Sequence, residues 1–290
     1  MNLDEYFKRI GFSGPFEQPD LATLKAIHKN IVMTIPFENL SIHCGEKIGM
    51  DLEAIFNKIV RGQRGGWCME GNYLFAWVLR ELGYDSVMLA ARVIFGHDGD
   101  PSAPESHLIN MVTVDGKVYI ADVSFGLSYQ LWEPVELVSG KDQTQAAGVF
   151  RLIDQEGVWV LEKTGRKAEM QNPDLAQSSV EKKNQTQQIY CFSLVPRERD
   201  HFTDVNHTLQ TDPTSLFTTK SITSLQTPTG FRALLGWTYS EVTFGPEEGV
   251  DLVDTRDLPD EEVETILWEK FNLKLKNKLS PKNDKIGYTM

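Results

Sequence analysis

Long apolar runs and paired cysteines are the features that this sequence most clearly lacks. No stretch of about 18 apolar residues occurs, and the first ten residues mix charged and aromatic side chains instead of forming an apolar signal core. The three cysteines are dispersed without a CxxC pair, and the six histidines do not have the spacing of metal ligands. We therefore expect a cytoplasmic protein with no membrane association, no disulfide framework and no metal.

Positive charge is also scarce. Lys plus Arg number 29 against 41 for Asp plus Glu, which gives a formal net charge of -12 at pH 7. No segment concentrates lysine and arginine among aromatic residues, so we expect no binding to nucleic acid. An anionic cofactor could still bind to a local group of hydrogen-bond donors.

Changes in hydrophobic period divide the 290 residues into three predicted domains. Residues 1–83 have apolar residues at helical spacing and predict a helical bundle. Residues 84–195 change to a period of two and predict an antiparallel, barrel-like β-domain with a polar insertion at about 162–188. Residues 196–290 mix both patterns and predict an α/β lid and a C-terminal tail. The predicted fold class is α+β, and no exposed apolar repeat suggests an obligate partner, so we expect a monomer.

Local signals predict several elements inside these domains. Asp20 is expected to cap a helix, and Gly83 to end the helix that begins at Cys68. A helix that opens near Pro259 should bury four apolar residues, Val263, Ile266, Leu267 and Phe271. Three further elements are predicted in the lid, a helix over Arg197–Leu209 and strands over Ser221–Leu225 and Arg232–Thr238.

The segment Arg64-Gly-Gly-Trp-Cys-Met-Glu-Gly-Asn72 leads directly into a strong helical pattern. At the first turn of that helix, Cys68 meets unpaired backbone N–H groups and the positive end of the helix dipole, and both favour thiolate over thiol. The two glycines before it allow a sharp turn and the close approach of a substrate. Cys68 is therefore predicted to be a nucleophile, which needs a base and a group that orients the base.

A predicted β-hairpin supplies these two groups. Asp115-Gly116 lies between two apolar runs and indicates a two-residue turn. Such a turn predicts three opposed pairs, Val114 with Lys117, Met111 with Ile120 and Ile109 with Asp122. His107 then lies on the buried face, diagonal to Asp122 and within reach of a side-chain hydrogen bond. A shift of one residue would put His107 and Asp122 on opposite faces.

Together these side chains predict acyl transfer through cysteine. Cys68 attacks an acyl carbon, and His107 takes the thiol proton, so that the pair exists largely as thiolate and imidazolium. Asp122 holds the imidazole tautomer and stabilises its positive form.

Further motifs accompany these residues and cover nearly the whole chain, namely Pro36-Phe-Glu-Asn-Leu40, Ser106-His107, Ala121-Asp-Val-Ser-Phe-Gly126, Gln130-Leu-Trp-Glu-Pro-Val-Glu-Leu137, Leu209-Gln-Thr-Asp-Pro-Thr-Ser215 and Ser224-Leu-Gln-Thr-Pro228. With the Cys68 segment they resemble the signature of the arylamine N-acetyltransferases, and the polar insertion and tail resemble the vertebrate-like branch. The resemblance implies a three-domain fold with a papain- or transglutaminase-like Cys-His-Asp core. It also implies ping-pong transfer of acetyl from acetyl-CoA, through a Cys68 thioester, to arylamines, arylhydrazines or arylhydroxylamines, as in xenobiotic metabolism.

The resemblance also implies binding positions. Three residues stand at cofactor positions: Thr214 matches the family, Thr208 stands where relatives often have an aromatic residue, and Gly287 replaces a hydroxyl residue. Four residues match the acceptor pocket, namely Phe37, Ser106, His107 and Phe125. In the loop before His107, Ala103 and Pro104 stand where relatives often have a small hydroxyl residue and a glycine, and a proline donates no N–H. The bulk of Phe37, Phe125 and Tyr129 favours a narrow pocket for small acceptors such as aminobenzoates.

Two other functions remain compatible with the same residues. A cysteine amidase or hydrolase would use an identical triad and would differ only in resolving the thioester with water. A non-catalytic relative could keep the fold and bind CoA or arylamine without turnover. We expect Cys44, Cys191 and the histidines other than His107 to be structural.

Overall fold

The structure is a computed structural model that describes residues 1–94, 103–166, 168–171, 186–246 and 250–284. These ranges contain the following α-helices: α1 Leu3–Ile10, α2 Leu21–Thr34, α3 Leu40–His43, α4 Leu52–Phe56, α5 Cys68–Glu81, α6 Thr203–Thr211, α7 Leu216–Thr219 and α8 Asp260–Phe271. Three shorter helical segments accompany them, a π-helical turn at Asn57–Arg61 and 3-10 turns at Leu127–Tyr129 and Arg199–Phe202. Within the described ranges, no helix combines the length and the apolar character needed to span a bilayer.

The same ranges contain fourteen β-strands. In chain order they are β1 Phe37–Glu38, β2 Asp85–Val93, β3 His107–Val114, β4 Lys117–Ala121, β5 Val135–Glu136, β6 Asp142–Gln145, β7 Gly148–Gln155, β8 Val158–Thr164, β9 Ala168–Met170, β10 Thr186–Pro196, β11 Ile222–Thr227, β12 Gly230–Leu235, β13 Thr238–Thr243 and β14 Asp251–Asp257. The fold is α+β, as predicted.

Side-chain caps determine where the N-terminal helices begin. Asn2, Asp20 and Asp51 each accept a hydrogen bond from a first-turn backbone N–H of α1, α2 and α4, at 3.1, 2.7 and 2.8 Å respectively. The cap predicted at Asp20 is therefore confirmed. Gly83, with φ of 80°, follows the end of α5 as predicted. These helices bury their apolar faces in one core that also contains residues of β3 and β4.

An eight-stranded antiparallel sheet, in the order β5-β4-β3-β2-β10-β8-β7-β6, forms a nearly closed barrel. The β3–β4 hairpin has the predicted register in two of its opposed pairs, Val114 with Lys117 and Met111 with Ile120. Asp115 and Gly116 have φ values of 51° and 74°, as a two-residue turn between strands requires. Alternate residues of β3 therefore face the helices and the barrel interior, and α5 packs on β2 and β3.

A second sheet joins distant parts of the chain in the order β1-β11-β12-β13-β14-β9. β1 pairs antiparallel with β11, where Phe37 faces Ser224, and β9 pairs parallel with β14. α8 contributes to the core under this sheet, and the four apolar residues predicted for its inner face are all buried. The strand β1 thus carries a residue of the predicted acceptor pocket into the sheet of the lid.

Several predicted elements of the lid were wrong in extent. The predicted helix over Arg197–Leu209 begins only at Thr203, because the Arg197 N–H still donates to the Met88 carbonyl of β2 and a 3-10 turn follows. β13 and β14 were not predicted as strands, because polar residues such as Ser240, Asp251 and Thr255 occupy buried positions and conceal the alternating pattern.

Two other lid and insertion predictions also differ from the structure. The predicted strand Arg232–Thr238 is interrupted by a turn at Gly236, whose φ is 60°. In the predicted polar insertion, β8 continues to Thr164 and Ala168–Met170 form β9, while residues 172–185 lie outside the described ranges.

Gly65 lies where the chain entering α5 passes against the segment before β1. A Cβ atom at Gly65 would lie 2.1 Å from the Pro36 carbonyl oxygen and 2.7 Å from Cγ of Glu38. Two backbone hydrogen bonds hold this approach, Glu38 N–H to Gly66 O at 3.0 Å and Gly66 N–H to Pro36 O at 3.2 Å. Only glycine therefore permits the path that leads the chain to Cys68.

We predict that Gly65→Ala lowers the free energy of unfolding by about 1–3 kcal/mol, because backbone atoms cannot move away from the added methyl group without breaking these bonds. Urea denaturation measures the change. Gly49→Ala is the matched control, since nothing lies within 4 Å of a Cβ atom at that position. Equal midpoints for the two variants would contradict the assigned close contact.

Candidate active site

Cys68 is the first residue of α5, and its side chain is buried. Its Sγ lies 3.8 Å from the Ser106 carbonyl oxygen, and its thiol also interacts with the side chain of His107. Immediately before it, the Trp67 N–H donates to the Glu70 carboxylate at 3.3 Å, and Lys58 Nζ binds both oxygens of that carboxylate at 2.8 Å. The first turn of α5 is thereby held in place around the sulfur atom.

His107 is the first residue of β3 and faces Ala91 of β2. Its Nε2 lies 2.7 Å from Oδ2 of Asp122, so Nδ1 is the ring nitrogen that remains for Cys68. Two aromatic rings pack on the imidazole, Phe125 edge-on at 5.0 Å and Tyr190 tilted at 5.2 Å between centroids. The ring is therefore fixed on both sides and nearly excluded from water.

Asp122 follows β4 and uses both of its carboxylate oxygens. Oδ2 accepts from His107, while Oδ1 accepts from Asn72 Nδ2 at 2.8 Å and from the Ser124 N–H at 3.1 Å. Burial raises the pKa of this carboxyl, but His107, Asn72 and Ser124 outweigh it and hold the pKa below its ordinary value. Asp122 therefore carries its negative charge beside the imidazole.

The pKa of His107 moves in the opposite direction. Burial alone lowers it, but the charge and hydrogen bond of Asp122 and the interaction with Cys68 raise it to about 10. Both shifts favour a charged imidazolium paired with a charged carboxylate. The site therefore holds a proton on His107 at neutral pH.

Asn72 is the residue of this site that sequence reasoning missed. It lies one turn after Cys68 on α5, and besides Asp122 it binds the Leu108 carbonyl through Nδ2 at 2.7 Å and the Val123 N–H through Oδ1 at 2.9 Å. The sequence signal for this role was an amide side chain four residues after Cys68, because residues four apart lie on the same face of a helix. Asn72 connects the helix to β3 and to the segment that follows β4.

A buried ion pair supports the approach to Cys68. Arg64 Nε and Nη2 bind the two oxygens of Glu38 at 2.9 and 3.1 Å, and Glu38 also accepts the Leu40 N–H at 2.7 Å. Both side chains are almost fully buried and have lost their hydration. The two Arg64–Glu38 hydrogen bonds and the bond from the Leu40 N–H offset this loss. This pair connects the motif that contains Phe37 to the segment that contains Cys68.

Only some of the residues predicted to line the acceptor pocket contact Cys68 or His107. Phe125 contacts His107, and the Ser106 carbonyl contacts Cys68. Phe37 is buried in the core cluster that contains Cys68, and its ring packs on Gly126, where a Cβ atom would lie 2.9 Å from Cγ of Phe37. The structure thus places Phe37 against Gly126, the residue that follows Phe125 in the chain.

The predicted cofactor residues lie elsewhere. Thr208 is exposed on α6 and donates to the Asp204 carbonyl at 3.0 Å, and Thr214 is exposed and donates to Asp212 through its hydroxyl at 2.7 Å. Among the described residues, the hydroxyl group of each threonine therefore bonds only to a residue of its own segment. Gly287 lies outside the described residues.

Glu105 connects the loop before His107 to the lid. Its carboxylate lies 3.2 Å from Arg92 Nη2, 3.3 Å from Arg197 Nη2 and 2.7 Å from His201 Nε2. These contacts fix the chain two residues before the imidazole. No group of three or more His, Cys, Asp and Glu side chains suited to a metal occurs in the part of the chain that the structure describes.

Comparisons with known proteins agree with this geometry. The sequence model of an N-acetyltransferase family matches residues 20–280. The chain is 49% identical over 290 residues to the arylamine N-acetyltransferase pineal gland isozyme NAT-10 of Gallus gallus and 40% identical over 290 residues to arylamine N-acetyltransferase 1 of Homo sapiens, with all of each chain covered.

Solved structures show the same relationship. The arylamine N-acetyltransferase of M. tuberculosis superposes with a TM-score of 0.81 at 28% identity, covering 94% of both chains. The enzyme of Mycobacterium marinum in complex with CoA superposes with a TM-score of 0.79 at 27% identity, covering 94% of this chain and 93% of that one. The fold and the family match define an acetyltransferase. The chain belongs to the arylamine N-acetyltransferase family.

His28 is a second histidine close to this site, and it is fully buried on α2. Its Nδ1 lies 3.0 Å from the Trp132 carbonyl oxygen, and its ring packs edge-on against Phe75 at 6.0 Å. Burial lowers its pKa to about 4, although the Trp132 carbonyl and the charges of Asp122 and Glu133 act to raise it. His28 is therefore neutral at pH 7, in contrast to His107.

We predict that His28 makes the fold sensitive to acid. Since the unfolded chain binds the proton near pH 6.5 and the folded chain only near pH 4, stability falls as the pH decreases through this window. From pH 7 to pH 5, the free energy of unfolding of wild type should fall by about 2 kcal/mol more than that of His28→Leu, which has no imidazole to bind the proton. Parallel urea titrations at the two pH values measure this difference, and equal losses in both proteins would contradict the assignment.

Proposed function

We propose that this chain is an arylamine N-acetyltransferase that moves acetyl from acetyl-CoA through a Cys68 thioester to arylamines, arylhydrazines or arylhydroxylamines. The observation that carries the proposal is the buried His107–Asp122 pair, 2.7 Å apart, at the N-terminus of the helix that begins with Cys68. Cysteine nucleophiles are activated by this combination of a base, a group that orients the base and a helix N-terminus. The family membership assigns the chemistry to acetyl transfer.

In the first half-reaction, the Cys68 thiolate attacks the acetyl carbonyl carbon of acetyl-CoA. The new C–S bond forms, the bond to the CoA sulfur breaks, and the His107 imidazolium gives its proton to the departing CoA thiolate. Acetyl-Cys68 and a neutral His107 remain. Asp122 keeps the ring oriented while its charge changes, because its other oxygen is held by Asn72 and Ser124.

In the second half-reaction, the nitrogen of the acceptor attacks the thioester carbon. Neutral His107 takes a proton from that nitrogen, the bond to Cys68 breaks, and the sulfur leaves as thiolate. The N-acetyl product departs, and the thiolate–imidazolium pair is restored. One proton thus passes from the amine to CoA through a single imidazole, which is sufficient for both steps.

The remaining assignments are part of the same proposal. Thr208, Thr214 and Gly287 are proposed to contact CoA, and Phe37, Ser106 and Phe125 to line the acceptor pocket with His107. The enzyme is proposed to act as a cytoplasmic monomer, without nucleic acid, membrane or metal, and to consist of domains 1–83, 84–195 and 196–290. The resemblance stated above supports these points.

Acetyl-CoA alone should acetylate Cys68, because the first half-reaction needs no acceptor. Quenching followed by peptide mass spectrometry should place the acetyl group on Cys68 and leave Cys44 and Cys191 free. Arylamine added before quenching should remove it. His107→Ala should abolish the adduct, and Asp122→Asn should slow its formation by about a hundredfold or more, since the ring loses its counter-charge.

His207→Ala is the matched control, because this histidine is exposed on α6. Loss of acetyl from Cys68 at one rate with and without arylamine would identify a hydrolase instead. A folded protein that forms no adduct would contradict acetyl transfer and leave a non-catalytic relative.

The acetylation rate should stay constant across neutral pH and fall as the pH rises through about 10. Above its raised pKa, His107 loses the proton that CoA needs on departure. Rapid-quench measurements of acetyl-Cys68 formation from pH 6 to pH 10.5 test this. A rate that instead increases near pH 6.5, the ordinary pKa of a histidine, would show a neutral resting His107 and contradict the ion pair.

A further inference from the structure

The ion pair between Lys58 and Glu70 lies under the first turn of α5, and the mechanism above makes no use of its charges. Glu70 is the third residue of α5, two positions after Cys68, and its side chain is almost fully buried. Lys58 belongs to the π-helical turn Asn57–Arg61, and its side chain is largely buried. Its Nζ binds Oε1 and Oε2 of Glu70, each at 2.8 Å. The pair thus brings one positive and one negative charge to the end of the helix that carries the nucleophile.

Close packing holds the Glu70 carboxylate on the segment before Cys68. Its Oε2 accepts the Trp67 N–H at 3.3 Å. A Cβ atom at Gly66 would lie 2.9 Å from Cβ and 3.0 Å from Oε2 of Glu70, so the side chain lies directly on the Gly66 backbone. Lys58 is connected to the same segment, because its carbonyl accepts the Arg64 N–H at 3.1 Å.

The ammonium of Lys58 acts on two buried carboxyl groups. Burial acts to raise the pKa of Glu38, but the charges of Lys58 and Arg64 hold this pKa below its ordinary value. Burial raises the pKa of Glu70; the charge of Lys58 opposes this shift, and the charge of Glu38 adds to it. Arg64 binds both oxygens of Glu38, whereas Lys58 binds both oxygens of Glu70. Lys58 is therefore the cation on which an ionised Glu70 depends.

Glu70 and the Cys68 thiolate share one helix end. The unpaired N–H groups and the dipole at the N-terminus of α5 favour an anion there. An ionised Glu70 without a counter-charge would oppose a second anion in the same turn, because repulsion between charges is strong in a poorly hydrated interior. With Lys58 on both carboxylate oxygens the pair has no net charge. The helix end then remains available to the sulfur.

We propose that Lys58 is a positioning residue whose ammonium neutralises the Glu70 carboxylate, so that this carboxylate fixes the first turn of α5 without repelling the Cys68 thiolate. The inference rests on the proposed function, in which Cys68 is the nucleophile. Lys58 acts through Glu70 and takes no part in the bond changes.

The alternative is a purely structural role, in which Lys58 only packs under the helix. Removal of one partner of a buried ion pair is destabilising whatever its function. A structural loss would lower the reactivity of Cys68 by the same factor at every pH, and equally with a charged or a neutral residue at position 70. The ionisation of Glu70 therefore separates the two roles, and a loss of activity alone does not.

The test measures alkylation of Cys68 by iodoacetamide, a small neutral reagent that detects the thiolate without an acyl donor. Peptide mass spectrometry separates Cys68 from Cys44 and Cys191. Lys58→Met is compared with the double variant Lys58→Met, Glu70→Gln, whose amide oxygen can still accept the Trp67 N–H but has no charge. At pH 9 the single variant should react about tenfold more slowly than the double variant. At pH 5.5 the two rates should agree within about twofold, because the buried Glu70 then binds a proton.

The ratio of the two rates isolates the charge of Glu70. The other charged groups near the first turn are Glu38 of β1, Arg64 before α5 and the imidazolium of His107. Arg64 and Glu38 stay ionised as a bidentate pair, and His107, with a pKa of about 10, keeps its proton up to pH 9. These groups are the same in both variants, so their effects cancel.

Lys25→Met is the matched control. It removes an ion pair of similar length, 2.9 Å to Glu133, from an exposed part of α2, and it should leave the alkylation rate of Cys68 unchanged. If Lys58→Met does not fold, Glu70→Gln alone provides the measurement. It leaves the ammonium of Lys58 without its carboxylate and should raise the alkylation rate about threefold. In that case a rate equal to or below that of wild type would overturn the proposal.

A ratio of single to double variant that is the same at pH 5.5 and pH 9 would also overturn the proposal. The acetylation of wild type by acetyl-CoA is measured separately. If wild type were alkylated at Cys68 but never acetylated, the transferase function would be refuted, whereas the effect of Lys58 on the thiolate would still be measured by iodoacetamide. The two failures are thus distinguishable.

Discussion

The site depends on one constraint, which is that neighbouring groups bind both oxygens of the buried Asp122 carboxylate. A buried carboxylate is tolerated only when hydrogen bonds and an opposite charge replace its water. Here Asn72 and Ser124 hold one oxygen and His107 the other. Because these groups belong to α5, to β3 and to the chain after β4, satisfying one charge fixes three elements relative to each other. The same bonds set the distance from the helix N-terminus to the imidazole.

Close backbone approaches make this geometry possible. Gly71 lies on α5 where a Cβ atom would be only 2.6 Å from Oγ of Ser124, so the helix can pack directly on the segment that carries Asp122. Gly65 has a similar role between Pro36 and Glu38. The buried Arg64–Glu38 pair then connects the Cys68 segment to β1, the strand at the edge of the second sheet. Electrostatic pairing and the absence of side chains therefore act together at the same two junctions.

Much of this arrangement could be predicted from the sequence, because its signals are local. Asp115-Gly116 determines the register of the hairpin, and that register places His107 and Asp122 on one face. Caps and apolar spacing similarly predicted α2 and α8. The linking role of Asn72 depends on contacts between elements that are distant in sequence, which no local pattern records. β14 was missed for a related reason, since its inward residues include an aspartate whose partner, Arg166, is 85 residues away in sequence.

In the proposed mechanism, the protonation state of the acceptor nitrogen favours a weakly basic amine over an alkylamine. In that mechanism the acceptor meets acetyl-Cys68 beside a neutral His107, and two aromatic rings pack on that imidazole. An alkylammonium ion would have to lose its hydration to reach this buried group, and its nitrogen would carry no free electron pair for attack. An aromatic amine is neutral at pH 7, keeps its electron pair, and can place its ring against Phe125. A buried site that needs a neutral nitrogen and presents the Phe125 ring therefore favours aromatic acceptors over alkylamines.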